Sequence, residues 1–403
     1  MLEKHHRISL LFNANKAYDR QVIEGVGEYL QASQCDWDIF IEEDFLAKPE
    51  RILDYLGCGV DGVIADFDDP QIRALLYDIK VPLVAVGGSY HNHGEYPHHH
   101  YVATDNQALI SSALEHLKQK GLTHFAFYGV PSSPLRPWAH EREQAFVRLM
   151  QREMQPPNVY LGLETSPENW QYAQNRLADW LQNLPSQTGI ISVTDARARH
   201  LLQICEHTGI AVPEHLCVVG IDNEELTRFL SRTALTSVLQ GTCQMGYQAA
   251  KLLHQLLLGQ PPAKLMRIKI KPVGIIARSS TDFRSLSDPL VVQAMHYIRR
   301  HATKGIKVEQ VLDAIGVSRS NLENRFKIET GQTLHGAIHT EKLERARQLI
   351  INTSLPIGDI SITCGYPSVQ YFYTVFKKEM GLTPGEYRER HCGLLKTSNI
   401  ECN

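Results

Sequence analysis

The apolar residues of this chain follow two different rhythms, and the change between them near residue 278 constrains the fold more than any other feature. Before that point, short apolar runs alternate with amphipathic segments. Residues 8–12, 37–41, 62–65, 82–86, 125–128, 189–193 and 216–220 read as strands. Helical spacing is predicted over 21–32, 106–118, 141–152 and 196–207. Such alternation argues for parallel sheets covered by helices on both faces, where ligands bind beyond the carboxyl ends of strands. From Leu290 onward only helical patterning remains. The polar stretch 278–289 reads as a linker, with Asp288-Pro289 opening a helix. The expected division is therefore an α/β body over 1–277, the linker, an all-α domain over 290–391 and a tail over 392–403; a chain of 403 residues is too long for one ordinary core.

The all-α end contains the same plan twice. In the first copy Glu309 to Ile315 is a positioning helix, Gly316 the turn and Ser318 the N-cap of a second helix. Leu322 and Phe326 face inward, whereas Arg319, Ser320, Glu323, Asn324 and Lys327 face outward. In the second copy Ile357 to Thr363 positions, Gly365 turns and Ser368 caps. Tyr371, Phe372 and Phe376 are expected to pack, leaving Gln370, Tyr373, Thr374, Lys377 and Lys378 outside. A helix from Leu334 to Ile351 separates the copies. A glycine turn, a capped helix with a polar stripe and a basic end describe a helix-turn-helix that enters a DNA groove.

These residues closely resemble the AraC/XylS family DNA-binding domain. The resemblance is carried by Ala314, Gly316, Ser318, Leu322 and Phe326, then Gly331, Ala346 and Leu349, and finally Ile360, Gly365-Tyr366, Phe372, Phe376-Lys377, Gly381, Thr383-Pro384 and Tyr387-Arg388. It implies seven helices, with two recognition helices in adjacent major-groove segments of double-stranded DNA. It also implies base contacts from Ser320, Glu323, Asn324, Gln370 and Thr374; many relatives carry a basic residue at the last position. Phosphate contacts from Arg319, Lys327, Lys377 and Lys378 would position the domain without reading sequence.

In the body, the strand ends supply candidate ligand groups. Asn13 and Asn15 follow the first strand, Asp66-Phe67-Asp68 the third, Asp195 the strand ending at Val193, and Asp222 the strand ending near Gly220. Arg142 lies at the start of the helix read over 141–152, Trp138 shortly precedes it, and Gln240 ends an apolar run. Carboxylates and a guanidinium suit the hydroxyls of a polar small molecule, and Trp138 or Phe67 could be an aromatic plate against an apolar face. The body resembles LacI-type regulators and periplasmic sugar-binding proteins. That implies two α/β lobes around a sugar, with the chain crossing the hinge near 104, 240 and 272. Where relatives carry Asp-Arg after the fourth strand, this chain has Gly87-Gly88, so Asp66 is expected to supply the missing carboxylate.

The runs Leu11–Arg20, Ile64–Asp69, Thr194–His200 and Ile221–Arg228 are similar to those of the enterobacterial xylose-operon regulators. That resemblance alone implies D-xylose as effector, a transcription activator rather than an enzyme, a homodimer and RNA polymerase as partner. A sugar-released repressor and a sugar-binding protein with an accessory tail are the alternatives. Charge agrees with a polyanion partner at one end: 290–391 carries 14 Lys+Arg and 10 Asp+Glu, against 26 and 33 in the first 289 residues. Eight cysteines without metal or redox spacing, and a first apolar run too short for a signal peptide or membrane span, point to the cytoplasm. His91, His93 and His98-His99-His100 read as a solvated loop tip, so neither metal nor cofactor is expected.

Overall fold

The computed structural model describes residues 5–33, 35–41, 59–133, 136–164, 166–282 and 288–397. The chain divides into two compact units, Met1–Asp282 and Phe283–Asn403.

The first unit contains two six-stranded sheets. One is built from β1 (His6–Leu11), β2 (Trp37–Ile41), β3 (Gly62–Asp66), β4 (Leu83–Gly88) and β5 (His100–Thr104), with a late strand, β11 (Arg267–Ile270), at its edge. Its order is β11-β5-β4-β3-β1-β2, all parallel. The other holds β6 (His124–Tyr128), β7 (Asn158–Tyr160), β8 (Thr188–Ser192), β9 (Leu216–Ile221), β10 (Thr236–Leu239) and β12 (Gly274–Ile276). Its order is β12-β10-β9-β8-β6-β7, and only β12 runs antiparallel. The strand β3 is buried at every position, as the continuous apolar run of a doubly covered parallel strand requires. The chain passes from the first sheet to the second after β5, returns after β10 and crosses again after β11.

Local signals set the helix starts beside these strand ends. Asp69 caps Pro70–Leu75, Asp105 caps Asn106–Gln119 and Thr194 caps Asp195–Thr208, each side chain accepting from backbone N–H groups that the helix leaves unpaired. On the first lobe, Ala17–Ser33 packs against Thr242–Leu257 at backbone contact. A Cβ on Gly25 would overlap the Cys243 carbonyl, and one on Gly246 would overlap the Val22 carbonyl. Only hydrogen fits at either position.

The stretch from Arg278 to Asp282, expected to begin a linker, is instead part of the first unit. Ser280 and Thr281 are fully buried, and Thr236 N donates to Ser280 Oγ at 2.8 Å while Ser280 Oγ donates to the Val218 carbonyl at 2.6 Å. Short hydroxyl side chains that look like linker composition here pair with the backbone of β9 and β10. The remainder of the expected linker, 283–287, lies outside the described residues.

In the second unit the described residues form seven α-helices and no strand. Val291, Ile298, Val311, Leu322, Phe326 and Leu334 belong to one core; Leu343, Ile350, Ile360, Phe372, Phe376 and Tyr387 belong to another. The helix Leu334–Asn352 contributes to both. Gly316 (φ 74°) and Gly365 (φ 70°) make the two turns in a left-handed conformation. A Cβ on Gly365 would also come within 2.6 Å of the Thr303 carbonyl, so this turn packs tightly against the short turn that precedes the first copy. The last helix, Pro384–Thr397, runs through half of the expected tail; 398–403 lie outside the described residues.

Candidate functional site

The parallel register brings acidic side chains to one end of the first sheet. Asp66 closes β3 opposite Val86 of β4. Val63 and Ala65 join one hydrophobic cluster, as the two-residue alternation of extended chain dictates, and Asp66 takes the other side; Phe67 and Asp68 follow in the turn, with Phe67 in the same cluster. Asp68 Oδ2 accepts from Gly88 N at 2.8 Å, and a Cβ on Gly87 would lie 2.9 Å from Asp68 Oδ1. Asp68 therefore occupies the space that Gly87-Gly88 leaves open. Asp66 pairs with Lys16 Nζ at 3.2 Å and accepts from Asp68 N. Asp19, fully buried at the start of Ala17–Ser33, accepts from Asn13 N at 2.6 Å.

The second lobe supplies the opposing charge. Arg142, on the helix Pro137–Arg152, is 4% exposed and satisfied in three directions. Its Nε donates to Asn106 Oδ1 at 3.1 Å, one terminal nitrogen to the Val193 carbonyl at 2.6 Å and the other to Gln240 Oε1 at 2.8 Å. Gln240 in turn donates to Asp222. Trp138, one turn before Arg142, lies with its ring centroid 5.1 Å from the guanidinium carbon. A Cβ on Gly88 would sit 3.0 Å from Trp138 Cβ, so Trp138 reaches the strand end of the opposite lobe.

Burial dominates the electrostatics. It raises Asp68 to about 7, with Asp66 repelling its charge further, and raises Asp222 to about 6 against the opposing pull of Arg142 and Gln240. Asp19 rises to about 8 through burial and the nearby Asp66 charge. Burial also pushes Asp66 up although Lys16 opposes it, and lowers Arg142. One oxygen of Asp68 and one of Asp19 are buried without a hydrogen-bond partner. A set of carboxylates with open acceptor positions facing a fixed guanidinium is suited to a neutral polyhydroxyl ligand.

Several expectations need correction. Phe67 is 2% exposed, packed in the sheet core edge-on to His99, and is no plate for a ligand. Asn13 Oδ1 accepts from Asn15 N at 3.0 Å in a local turn, and Asn15 itself is exposed. Asp195 is buried, with one oxygen accepting from Ser237 Oγ at 2.7 Å and the other from Glu224 N at 2.8 Å. Both of its oxygens are committed to the loop after β9 and to β10, and a Cβ on Gly220 would collide with it. Lys16, Asp19 and Asn106 were not anticipated. The strand-end rule could have found the first two, since they follow β1, and the Asp105 cap could have pointed to Asn106.

In the second unit, Arg319, Ser320, Asn324 and Lys327 are exposed on the helix Arg319–Thr330, and Gln370, Tyr373, Thr374, Lys377 and Lys378 on Val369–Met380. Glu323 is half-buried; its carboxylate accepts from Arg319 Nε at 3.0 Å, and Arg319 also reaches Glu309 at 3.2 Å. Ser368 caps the second recognition helix by accepting from Tyr371 N at 3.2 Å, but Ser318 makes no side-chain capping bond. Tyr371 is 48% exposed against the expectation that it packs; Tyr366 and Phe372 fill that core instead. A groove of about 720 Å³ between the copies is lined by Lys307, Arg319, His335, His339, Lys342 and Tyr371 among others, a basic feature that the helix-by-helix pattern did not reveal. Among the described residues no cluster of His, Cys, Asp and Glu could hold a metal, and no helix is long and apolar enough to cross a membrane.

The comparisons with known proteins agree with both halves. Residues 7–107 match the XylR N-terminal domain, 114–281 a periplasmic binding protein-like domain and 311–390 a helix-turn-helix domain. The xylose operon regulatory protein of Escherichia coli K12 is 67% identical over 96% of this chain and 98% of its own length. That of Haemophilus influenzae is 55% identical over 96% and 99%. A solved structure described as a xylose-binding transcription activator superposes with a TM-score of 0.86 at 64% identity, covering 97% of this chain and all of that one. A cellobiose-bound transcriptional regulator matches at a TM-score of 0.54 and 21% identity over 69% of this chain and 86% of its own, which shows the fold of the first unit alone. The chain belongs to the family of xylose operon regulatory proteins, which are DNA-binding transcription regulators and not enzymes.

Proposed function

We propose that the chain is a D-xylose-dependent activator of genes for xylose uptake and catabolism, acting in the cytoplasm as a homodimer on double-stranded promoter DNA and contacting RNA polymerase beside its site. The observation that carries the reading is the hydrogen-bonded chain Asn106–Arg142–Gln240–Asp222 opposite Asp66 and Asp68, in a chain 67% identical to a xylose operon regulator. D-Xylose is a neutral polyol, so its hydroxyls donate to Asp66, Asp68 and Asp222 and accept from Arg142, with Trp138 against its less polar face. It needs no metal or cofactor.

On the DNA side, Arg319, Lys327, Lys377 and Lys378 hold phosphates, while Ser320, Glu323, Asn324, Gln370 and Thr374 face base edges, with Tyr373 beside them. The Arg319–Glu323 pair must rearrange before both reach DNA. Sugar acts by favouring one arrangement of the two lobes, and its effect on DNA affinity is limited by its differential affinity for the two arrangements.

The test is DNA affinity at fixed salt with xylose-promoter DNA, titrated with D-xylose, L-arabinose and D-ribose. D-Xylose alone should tighten binding by about 5- to 150-fold, the ordinary range of allosteric coupling. Weakened binding would instead identify a sugar-released repressor, and no change with any pentose would remove the ligand assignment.

A further inference from the structure

The loop after β9 is bonded on one side to the candidate sugar site and on the other to the last residues of the first unit. Asp222 (φ 120°) and Asn223 (φ 51°) are consecutive non-glycine residues in the left-handed half of conformational space. Such conformations persist only when the surroundings impose them. Here they do so at several points. Asp222 N donates to the Val238 carbonyl, Asn223 N to Ser237 Oγ and Glu224 N to Asp195. Asp222 receives Gln240, which is itself held by Arg142.

The outward side of this loop meets the chain's exit. Arg278 donates to Asn223 Oδ1 at 2.6 Å and, through its other terminal nitrogen, to the Leu235 carbonyl at 2.6 Å. Its own backbone is clasped by Thr236, whose hydroxyl accepts from Arg278 N at 2.8 Å and lies 3.0 Å from the Arg278 carbonyl. Thr236 Oγ1 also lies 2.7 Å from Thr281 Oγ1, which contacts His116 at 2.9 Å. The second unit begins at Phe283, five residues after Arg278.

We infer that Asn223 and Arg278 are the positioning pair through which occupation of the sugar site is conveyed to the segment leading into the DNA-binding unit. The inference rests on the sugar-responsive reading given above. A ligand that engages Asp222 competes with Gln240 and draws on the same carboxylate. The loop is held in a conformation that its residues do not favour, so a shift at Asp222 changes the place of Asn223 Oδ1, one residue on. Arg278 follows that oxygen with a charge-assisted bond, and its backbone is the start of the exit segment. Neither Asn223 nor Arg278 has to touch sugar or DNA.

The test uses the full-length chain and the variants Asn223→Gly, which keeps the left-handed backbone but deletes the acceptor, Arg278→Gln, and the double variant. Asn223→Asp serves as the conservative variant that retains an acceptor. Sugar affinity is measured by calorimetry with D-xylose, and DNA affinity by anisotropy with and without it. In Asn223→Gly and Arg278→Gln, sugar affinity and sugar-free DNA affinity should each stay within about threefold of the parent, while the sugar-induced gain falls by about tenfold. The double variant should lose no more than either single one, and Asn223→Asp should recover most of the gain. Full coupling in both single variants would overturn the inference, as would an additive loss in the double variant or a loss of sugar affinity itself. A parent protein without any response to xylose would overturn the ligand reading as well, and so separates the two failures.

Discussion

Asp68 shows how one side chain can connect the candidate site to solution acidity. Burial and the neighbouring Asp66 hold its carboxyl at about 7, and Asp222 and Asp19 are raised to about 6 and about 8. Each takes up a proton more readily in the folded chain than in the unfolded one, where carboxyls titrate near about 4. Their contribution to stability is therefore complete below that range and is lost as pH rises through the folded values. The sugar-free protein should unfold at progressively lower denaturant between about pH 5 and pH 8. Asp68→Asn should flatten that decline, raise the midpoint at pH 8 and weaken sugar binding; an unchanged slope in denaturant titrations would show that Asp68 is ionised throughout. Asp66 and Asp68 were legible in the sequence because acids directly follow an apolar strand. Lys16 and Asp19 were only partly legible: they follow β1, but only the folded turn brings them to the same place as Asp66. Asp195 was legible as a strand-end acid but not in its role, since Ser237 and the Glu224 amide come from elsewhere in the chain.

At the scale of elements, reliable signs came from the long apolar runs and the two helix-turn-helix copies. Weak ones came from the edge strands β7 and β11, which are short and partly exposed. The helix Thr242–Leu257 is the more instructive omission. It packs along Ala17–Ser33, and the approach is set by Gly25 and Gly246, residues that lower helix propensity when each segment is considered alone. Gly246→Ala should cost about 1–3 kcal/mol by forcing the two backbones apart. Chemical denaturation checks this, and a loss below about 0.5 kcal/mol, the usual surface value, would mean that the crossing can relax.

At the scale of the molecule, the two contact units imply two cooperative transitions. D-Xylose at a hundred times its Kd adds about 2.7 kcal/mol to the unit that binds it, which is roughly 4–5 °C for a domain of this size. Scanning calorimetry should show that shift in one transition only; equal shifts in both would mean that the units melt together. The sequence located the change from α/β to all-α patterning but misjudged the edge of the first unit. Ser279, Ser280 and Thr281 have the composition of a tether, and only their pairing with β9 and β10 makes them part of the fold.

The late strand β11 also has a consequence for how the protein is made. The first sheet lacks its edge until residue 270 has left the ribosome, and the Ala17–Ser33 helix lacks its packing partner until residue 257 has. By then β6 to β10 of the second sheet have all been synthesised. The half that is translated first is thus completed only after β6 to β10 of the other half have been made, and its apolar helix face must wait through more than half of the elongation of the chain. A nascent chain arrested before residue 242 should be the form most dependent on chaperones.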